Sequence, residues 1–444
     1  MKNILILGAG RSAFSLIENL LQNAESNQWH VSICDMSLPY LNERYADNPF
    51  LTKVKFSLEN DSQLSELVSK SDIVISMLPA RFHQKVAKSC LQHSKNMLTA
   101  SYVSPEMEAM DAEAKEKGIL FLNEMGLDPG IDHLSAMKII DELKAEGAEI
   151  TSFASFTGGL VAPESDNNPW NYKFTWNPRN VVLAGKGTAQ YIQKGQFKYI
   201  PYHRLFSTIQ TIEIDGCGEF EGYPNRDSLS YRPIYGLERI PTMLRGTLRK
   251  PGFCKSWNHF IQLGMTDDSY KLENSEEMTY RNFINTFLPY NIDKTVEKKV
   301  ADFIGESVDG VEIEKLKWLG IFEETKIGTP DLSPAQALQQ ILEAKWTLAE
   351  TDKDMIVMQH LFEYEKGGKS HNLKSSLVIM GEDTDNTAMA KGVGLPLAIG
   401  CKLVLNGKIN LKGVQRPIQP SIYEPVLEEL EKLGIKFVEK EEVN

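Results

Sequence analysis

Ile4 to Leu7 form an unbroken aliphatic run, and His30 to Cys34, Val54 to Leu58, Ile73 to Leu78, Met97 to Thr99 and Ile119 to Leu122 repeat the theme. Short apolar runs of this kind predict strands buried on both faces. Helical patterns stand between them: Phe14, Leu16, Ile17, Leu20 and Leu21, then Asp61 to Val68, then about Phe82 to Gln92. Another helix opens at Pro105, with acidic Glu106 in its first turn, as the missing N–H and the helix dipole favour. Repeated strand–helix units predict an α/β fold with a doubly wound parallel sheet.

The alternation breaks after a helix expected from near Ile131 to near Gly147. Thr151 to Phe156 predicts a strand, followed by a loop at Thr157-Gly158-Gly159. Alternating apolar positions from Ile209 to Phe220 predict strands of a second, mixed sheet. From about Asp267 to Asp352 the chain turns helical and charged, a helical insertion whose charges are read as a solvated face. Met355 to Tyr364 and Leu373 to Met380 alternate around Gly367-Gly368, as a hairpin returning to the second sheet does. Thr387 to Gly400 resumes a small-residue helix pattern with Pro396 inside it. Gly392, Gly394 and Gly400 there predict close helix contact with the first domain.

A length of 444 residues predicts two or three domains. The net charge of −12 speaks against non-specific nucleic-acid binding and leaves room for a local basic pocket. Five cysteines are scattered, with no CxxC pair and no zinc spacing, so reduced thiols, a cytoplasmic location and no metal are expected. The opening MKNILILGAG is no signal peptide, and no uncharged run is long enough to span a bilayer.

The chemistry concentrates at strand ends. Gly8-Ala9-Gly10-Arg11-Ser12-Ala13 stands between the first strand and the first helix. Gly8 permits a tight turn, Gly10 lets a pyrophosphate approach the backbone, and Ala13 keeps the helix close to the sheet. The helix N-terminus offers N–H groups to the phosphates. Asp35 closes the second strand, where a carboxylate accepts from ribose hydroxyls and repels a 2′-phosphate. Ser101-Tyr102 and Asp128, the latter within NEMGLDPGIDH, fall on the same carboxyl edge. Asp128 has a plainer reading as a cap for the next helix. Further on, Pro163 to Pro169 with Tyr172, Phe174 and Trp176 suggests a binding surface. Arg226 lies in a tight loop, and Arg245-Gly246-Thr247 joins a second guanidinium to a close backbone approach and a hydroxyl. Guanidinium groups so held suit bidentate carboxylate recognition.

Together these motifs resemble saccharopine dehydrogenase of the L-glutamate-forming type, also called saccharopine reductase. The resemblance runs along the whole chain and is most specific in NEMGLDPGIDHLSAMKIID, APESDNNPWNYKFTW, GYPNRDS, LRGTLR and TAMAKGVGLPLAIGCKLVLNGKI. It implies a Rossmann-like domain over 1–131, joined by 385–444. A second α/β domain, for substrate and dimer contact, would cover 132–266 and 353–384, with a helical insertion at 267–352. It implies reversible conversion of saccharopine and water to glutamate and 2-aminoadipate 6-semialdehyde, with NAD or NADP as hydride acceptor, in a homodimer. By the same resemblance Ser101, Tyr102, Asp128, Arg226, Arg245, Gly246 and Thr247 line the substrate site, with Asp128 and Tyr102 nearest the chemistry. Gly8, Gly10 to Ala13, Asp35, Leu127 to Gly130 (Leu127, Asp128, Pro129, Gly130) and Trp176 are expected at the dinucleotide. His133 is expected to be structural.

Two departures stand out. Fungal members carry an arginine after the cysteine of the second strand, where this chain has Asp35, which favours NAD. Some members have a cysteine where this chain has Thr157, so no thiol role is assumed. The rival readings are a related amino-acid or polyamine dehydrogenase, such as lysine 6-dehydrogenase or carboxynorspermidine dehydrogenase, and a non-catalytic NAD-sensing protein.

Overall fold

Strands form where the apolar runs predicted them. In the computed structural model, which describes residues 1–184 and 187–443, β1 (Lys2–Leu7), β2 (Trp29–Asp35), β3 (Leu51–Lys55), β4 (Ile73–Ser76), β5 (Asn96–Thr99) and β6 (Leu120–Leu122) open the chain. There follow β7 (Glu149–Val161), β8 (Ala189–Gln193), β9 (Gln196–Ile200), β10 (Gln210–Ile214), β11 (Gly218–Pro224), β12 (Thr242–Arg249) and β13 (Asp354–Lys366). The last three are β14 (Lys369–Met380), β15 (Gly413–Gln415) and β16 (Val438–Val443).

Packing divides the chain into two units, Met1–Ile150 with Tyr364–Asn444, and Thr151–Glu363. The domain ends expected at 131 and 384 differ from these. The helix Ile131–Ala145 belongs to the first unit, where the Tyr423 hydroxyl donates to Asp141 at 2.8 Å. The segment 267–352 is not a separate body. Its Phe283, Ile313, Leu338 and Trp346 share one core with Trp170, Tyr172 and Trp257 of the second unit.

In the first unit the sheet order is β15-β6-β5-β4-β1-β2-β3, parallel throughout. The order reverses beside β1, which makes the carboxyl end of β1 the natural ligand crevice. The third strand begins three residues before the expected Val54, because Leu51 pairs with Val31 and Lys53 with Ile33; Phe56 leaves the strand to join the core. The helix Ala388–Leu405 is long and apolar enough to cross a membrane by length and composition, but 72% of its window is buried inside the protein. Its expected close packing is present. A Cβ on Gly394 would lie 2.7 Å from the Leu16 backbone nitrogen, so the first helix, Phe14–Gln22, sits directly against it.

The second unit holds a mixed sheet. β10, β11 and β12 are antiparallel, β12 runs parallel to β7, and the β8–β9 hairpin attaches to β12. Three sequence expectations fail here. Thr157-Gly158-Gly159 is no loop: β7 continues through it, and Gly158 is small because its Cβ would meet Leu248 Cβ at 2.8 Å. Tyr172 and Phe174, expected on a binding surface, are buried core side chains that pack with Trp170 against Trp346. The charges of the helical segment are not all solvated. Glu312 and Lys315 are buried, and the Lys315 ammonium donates to the Ser256 hydroxyl at 2.7 Å.

Gly394→Ala should lower stability by about 1–3 kcal/mol, the usual cost of overpacking, because two helix backbones must separate. Urea denaturation measures it; an unchanged midpoint would show that the contact is slack.

Candidate active site

At the carboxyl edge of the first unit, Gly8 turns the chain at φ +95° and its N–H donates to the Cys34 carbonyl at 2.9 Å. Arg11–Ala13 form a short 3₁₀ turn before the helix Phe14–Gln22, with Ala13 buried and Gly10 and Arg11 exposed. A Cβ on Gly10 would meet no protein atom within 4 Å. No packing demand of the protein therefore explains glycine at this position. The open backbone at a helix start is what a dinucleotide pyrophosphate requires. Asp35 is tied to the same turn: one carboxylate oxygen accepts from the Ala9 N–H at 3.3 Å and the other from the Ser37 N–H at 3.2 Å.

Ser101 and Tyr102 follow β5. The Ser101 hydroxyl lies 2.7 Å from His83 Nε2, and His83 Nδ1 lies 2.8 Å from the Ser76 hydroxyl. Burial pushes the His83 pKa down to about 4, so the ring is neutral at physiological pH. No motif pointed to His83; it becomes visible only when the ends of β4 and β5 lie side by side.

The Tyr102 hydroxyl, on a residue 41% exposed, donates to Asp128 Oδ1 at 3.2 Å. Asp128 does not cap the following helix. The helix begins after Gly130, whose N–H donates to Asp132 at 2.6 Å. The Asp128–Pro129 peptide is cis, and Gly130 has φ +149°, where a Cβ would fall 2.0 Å from the Gly126 carbonyl oxygen. Leu127 and Pro129 are buried, while Asp128 stays partly exposed.

Glu124 opens this turn, also with positive φ, +58°. Its carboxylate is 1% exposed, accepts from the Val103 N–H at 3.0 Å and Arg416 Nε at 3.1 Å, and lies 2.8 Å from His133 Nε2. Burial raises its pKa, but the His133 hydrogen bond and charge, the Val103 N–H and Arg416 outweigh burial and hold the carboxyl below its ordinary range. His133, fully buried in this network, is structural.

In the second unit Arg226 is exposed, at φ +36°, and its guanidinium forms no ion pair among the described residues. Arg245 is buried, 4.2 Å over the Tyr231 ring. Its backbone carbonyl accepts from the Asn225 N–H at 2.8 Å, which ties the Arg226 loop to β12. The close approach expected at Gly246 is to the core: a Cβ there would lie 2.3 Å from the Phe156 ring. Thr247 is partly exposed, and Trp176 packs partly buried against the aromatic core. Among the described residues no group of three or more His, Cys, Asp or Glu side chains could hold a metal ion.

A parallel sheet with a glycine turn at its switch point marks the first unit as a Rossmann-type dinucleotide-binding domain. The comparisons narrow this. Residues 4–122 match the saccharopine dehydrogenase NADP binding domain and residues 126–435 the saccharopine dehydrogenase C-terminal domain. The chain belongs to the saccharopine dehydrogenase family. It is 35% identical to saccharopine dehydrogenase [NADP(+), L-glutamate-forming] of Pyricularia oryzae, covering 99% of each chain. The solved structure of apo saccharopine dehydrogenase (L-Glu forming) from Saccharomyces cerevisiae superposes with a TM-score of 0.89, at 32% identity and 100% coverage of both chains. Mouse mitochondrial alpha-aminoadipic semialdehyde synthase is 34% identical over 98% of this chain, which spans 47% of that protein. The chain thus covers about half the length of the mammalian relatives it matches.

His83 makes stability depend on pH. Its folded pKa lies below the unfolded value near 6.5, so between the two values the unfolded chain binds more protons. Stability is full above pH ~6.5 and falls by up to about 3 kcal/mol as pH drops towards ~4. His83→Gln should flatten that slope in chemical denaturation measured across the interval.

Proposed function

We propose that the chain oxidises saccharopine to glutamate and 2-aminoadipate 6-semialdehyde, reversibly, with a nicotinamide dinucleotide. The observation that carries this is Asp128, held by Tyr102 at the carboxyl edge of the parallel sheet, in the same edge as the Gly8–Ala13 turn. The names of the fungal relatives support the reaction.

When bound, the dinucleotide supplies the hydride acceptor. Gly10 to Ala13, Asp35 and the Leu127–Gly130 turn would hold it. The substrate is a secondary amine with three carboxylates. As its amine proton and the hydride on the adjacent lysine-side carbon leave, a C=N bond forms. Water then adds to that carbon, and the C–N bond breaks to release glutamate. Asp128 either neutralises a substrate ammonium group or takes the amine proton, and Tyr102 orients Asp128. Ser101, fixed by the neutral His83, presents its hydroxyl to substrate. Arg226 and Arg245 bind carboxylates, with Thr247 alongside. Holding the donor carbon in place is worth up to roughly 7–11 kcal/mol of barrier in favourable cases.

The relatives' names and the family description support NADP. Asp35 acts against a 2′-phosphate, and we assign it a shift of preference towards NAD. A homodimer in the cytoplasm belongs to the same reading.

Initial rates with saccharopine, NAD and NADP on the wild type and Asp35→Arg test the assignment. Turnover is expected, with NADP favoured more in the variant than in the wild type. No turnover with either nucleotide sinks the reaction; a wild type that strongly prefers NADP sinks the role of Asp35. Asp128→Asn should lower kcat by about a hundredfold or more, as for a lost acid–base group. Arg226→Ala with little loss would point to a substrate with fewer carboxylates, lysine first.

A further inference from the structure

Successive side chains of a strand alternate faces, so β12 sends Arg245, Thr247 and Arg249 to one side of its sheet. Pairing places Thr157 and Tyr223 on either side of Thr247, and Glu221 opposite Arg249. Arg249 is 3% exposed. Its Nη1 donates to the Leu248 carbonyl at 2.8 Å, while Nε has no hydrogen-bond partner. Glu221 does not serve it. That carboxylate accepts from the Gly252 and Cys254 N–H groups, each at 2.8 Å, at the start of the helix Phe253–Leu263.

Three rings surround the Arg249 guanidinium: Tyr172 at 5.2 Å, Phe253 at 5.4 Å and Tyr223 at 5.9 Å. Their faces offset part of the cost of burying the cation, yet they leave Nε–H without an acceptor. The hydroxyls of Tyr172, Tyr223 and Thr157 are also buried without hydrogen bonds of standard geometry. Both tyrosine hydroxyls lie within the electrostatic reach of Arg249. One buried guanidinium N–H is therefore unmet beside two tyrosine hydroxyls whose further polar neighbours are Trp176 for Tyr172 and Thr247 for Tyr223, and Thr157 adds a third buried hydroxyl on the same face of the sheet, opposite Thr247. Folded proteins rarely leave such groups unmet. A carboxylate meets this need: it carries no donor, about four lone-pair sites, and it pairs with a guanidinium.

We propose that Arg249, with the hydroxyls of Tyr172, Tyr223 and Thr157, is a further carboxylate-binding subsite of the substrate. This rests on the reading of the substrate as a tricarboxylate amine, for which Arg226 and Arg245 supply two cations and Arg249 the third.

The test is a Tyr172→Phe/Tyr223→Phe double variant, which removes two hydroxyls and leaves the rings in place. Arg249→Met is carried alongside; if it fails to fold, the tyrosine pair still decides. Wild type and variants are compared in KM and kcat for saccharopine, in KM for the nucleotide, and in thermal shift with glutarate as the dicarboxylate probe. A KM for saccharopine raised by roughly tenfold to a hundredfold, the worth of hydrogen bonds to a charged group, with the nucleotide KM and melting temperature unchanged, supports the subsite. An unmoved KM in an active double variant overturns it and leaves the proposed reaction standing. A wild type that never turns over saccharopine overturns the reaction, and the subsite is then judged on glutarate. Stabilisation lost in the double variant supports it, and stabilisation equal in both overturns it.

Discussion

Burying the Glu124 carboxylate alone would cost several kcal/mol, about the effective penalty for one desolvated ion. The Val103 N–H, His133 and Arg416 offset that cost, and each comes from a different segment. Val103 follows β5, His133 sits on the helix after the turn, and Arg416 follows β15 near the end of the chain. The carboxylate is satisfied only when all three segments are in place. The backbone from Glu124 to Gly130, with two residues at positive φ, is thereby held in one conformation. Asp128 rides on that turn. Its position at the sheet edge is a consequence of a buried ion network more than of local preference.

The same dependence explains why the C-terminal segment returns to the first unit. β15 adds to the sheet beside β6, and the Gln415 carbonyl accepts from the Asn123 N–H at 2.9 Å, one residue before Glu124. The helix Ala388–Leu405 closes the other side, with Gly392 against Leu127 and Gly394 against Leu16. Leu127 belongs to the Asp128 turn and Leu16 to the helix that follows the glycine turn. One apolar helix thus braces both candidate ligand-binding turns, which gives it a reason to be nearly all core.

Much of the first unit was legible because its strands are buried on both faces and separated by regular helices, so apolar runs alone mark them. The second unit was harder for identifiable reasons. The β8–β9 hairpin turns at Lys194-Gly195, both at positive φ; lysine is a weaker hairpin signal than asparagine or aspartate at that position. Tyr172 and Phe174 sit in a stretch of turn residues and read as surface, yet they fill a core completed by Trp346, far along the chain. Among candidate site residues, Ser101, Tyr102 and Asp128 were placed at strand ends by pattern, and the resemblance named them for a ligand. His83, Glu124 and Arg416 were not found, because their partners are set by strand order: Arg416 meets Glu124 across 292 residues, and no periodicity spans that distance.

Glycines sort the site further. Gly246 and Gly394 are small because Phe156 and the Leu16 backbone occupy the space of a side chain. Those requirements are internal, and a change at either is paid in packing. Gly10 differs: it has ordinary extended backbone, and a side chain there would meet no protein atom within 4 Å. A glycine that neither φ nor packing explains points outward, to something that must come close to the backbone. Arg249 carries the complementary signature, polar donors that the protein's own acceptors leave unmet. In both cases the groups present, open backbone at a helix start and an unmet guanidinium N–H, suit an anion. The residues themselves thus state the chemistry they suit: a phosphate at the Gly10 backbone and a carboxylate at the Arg249 guanidinium.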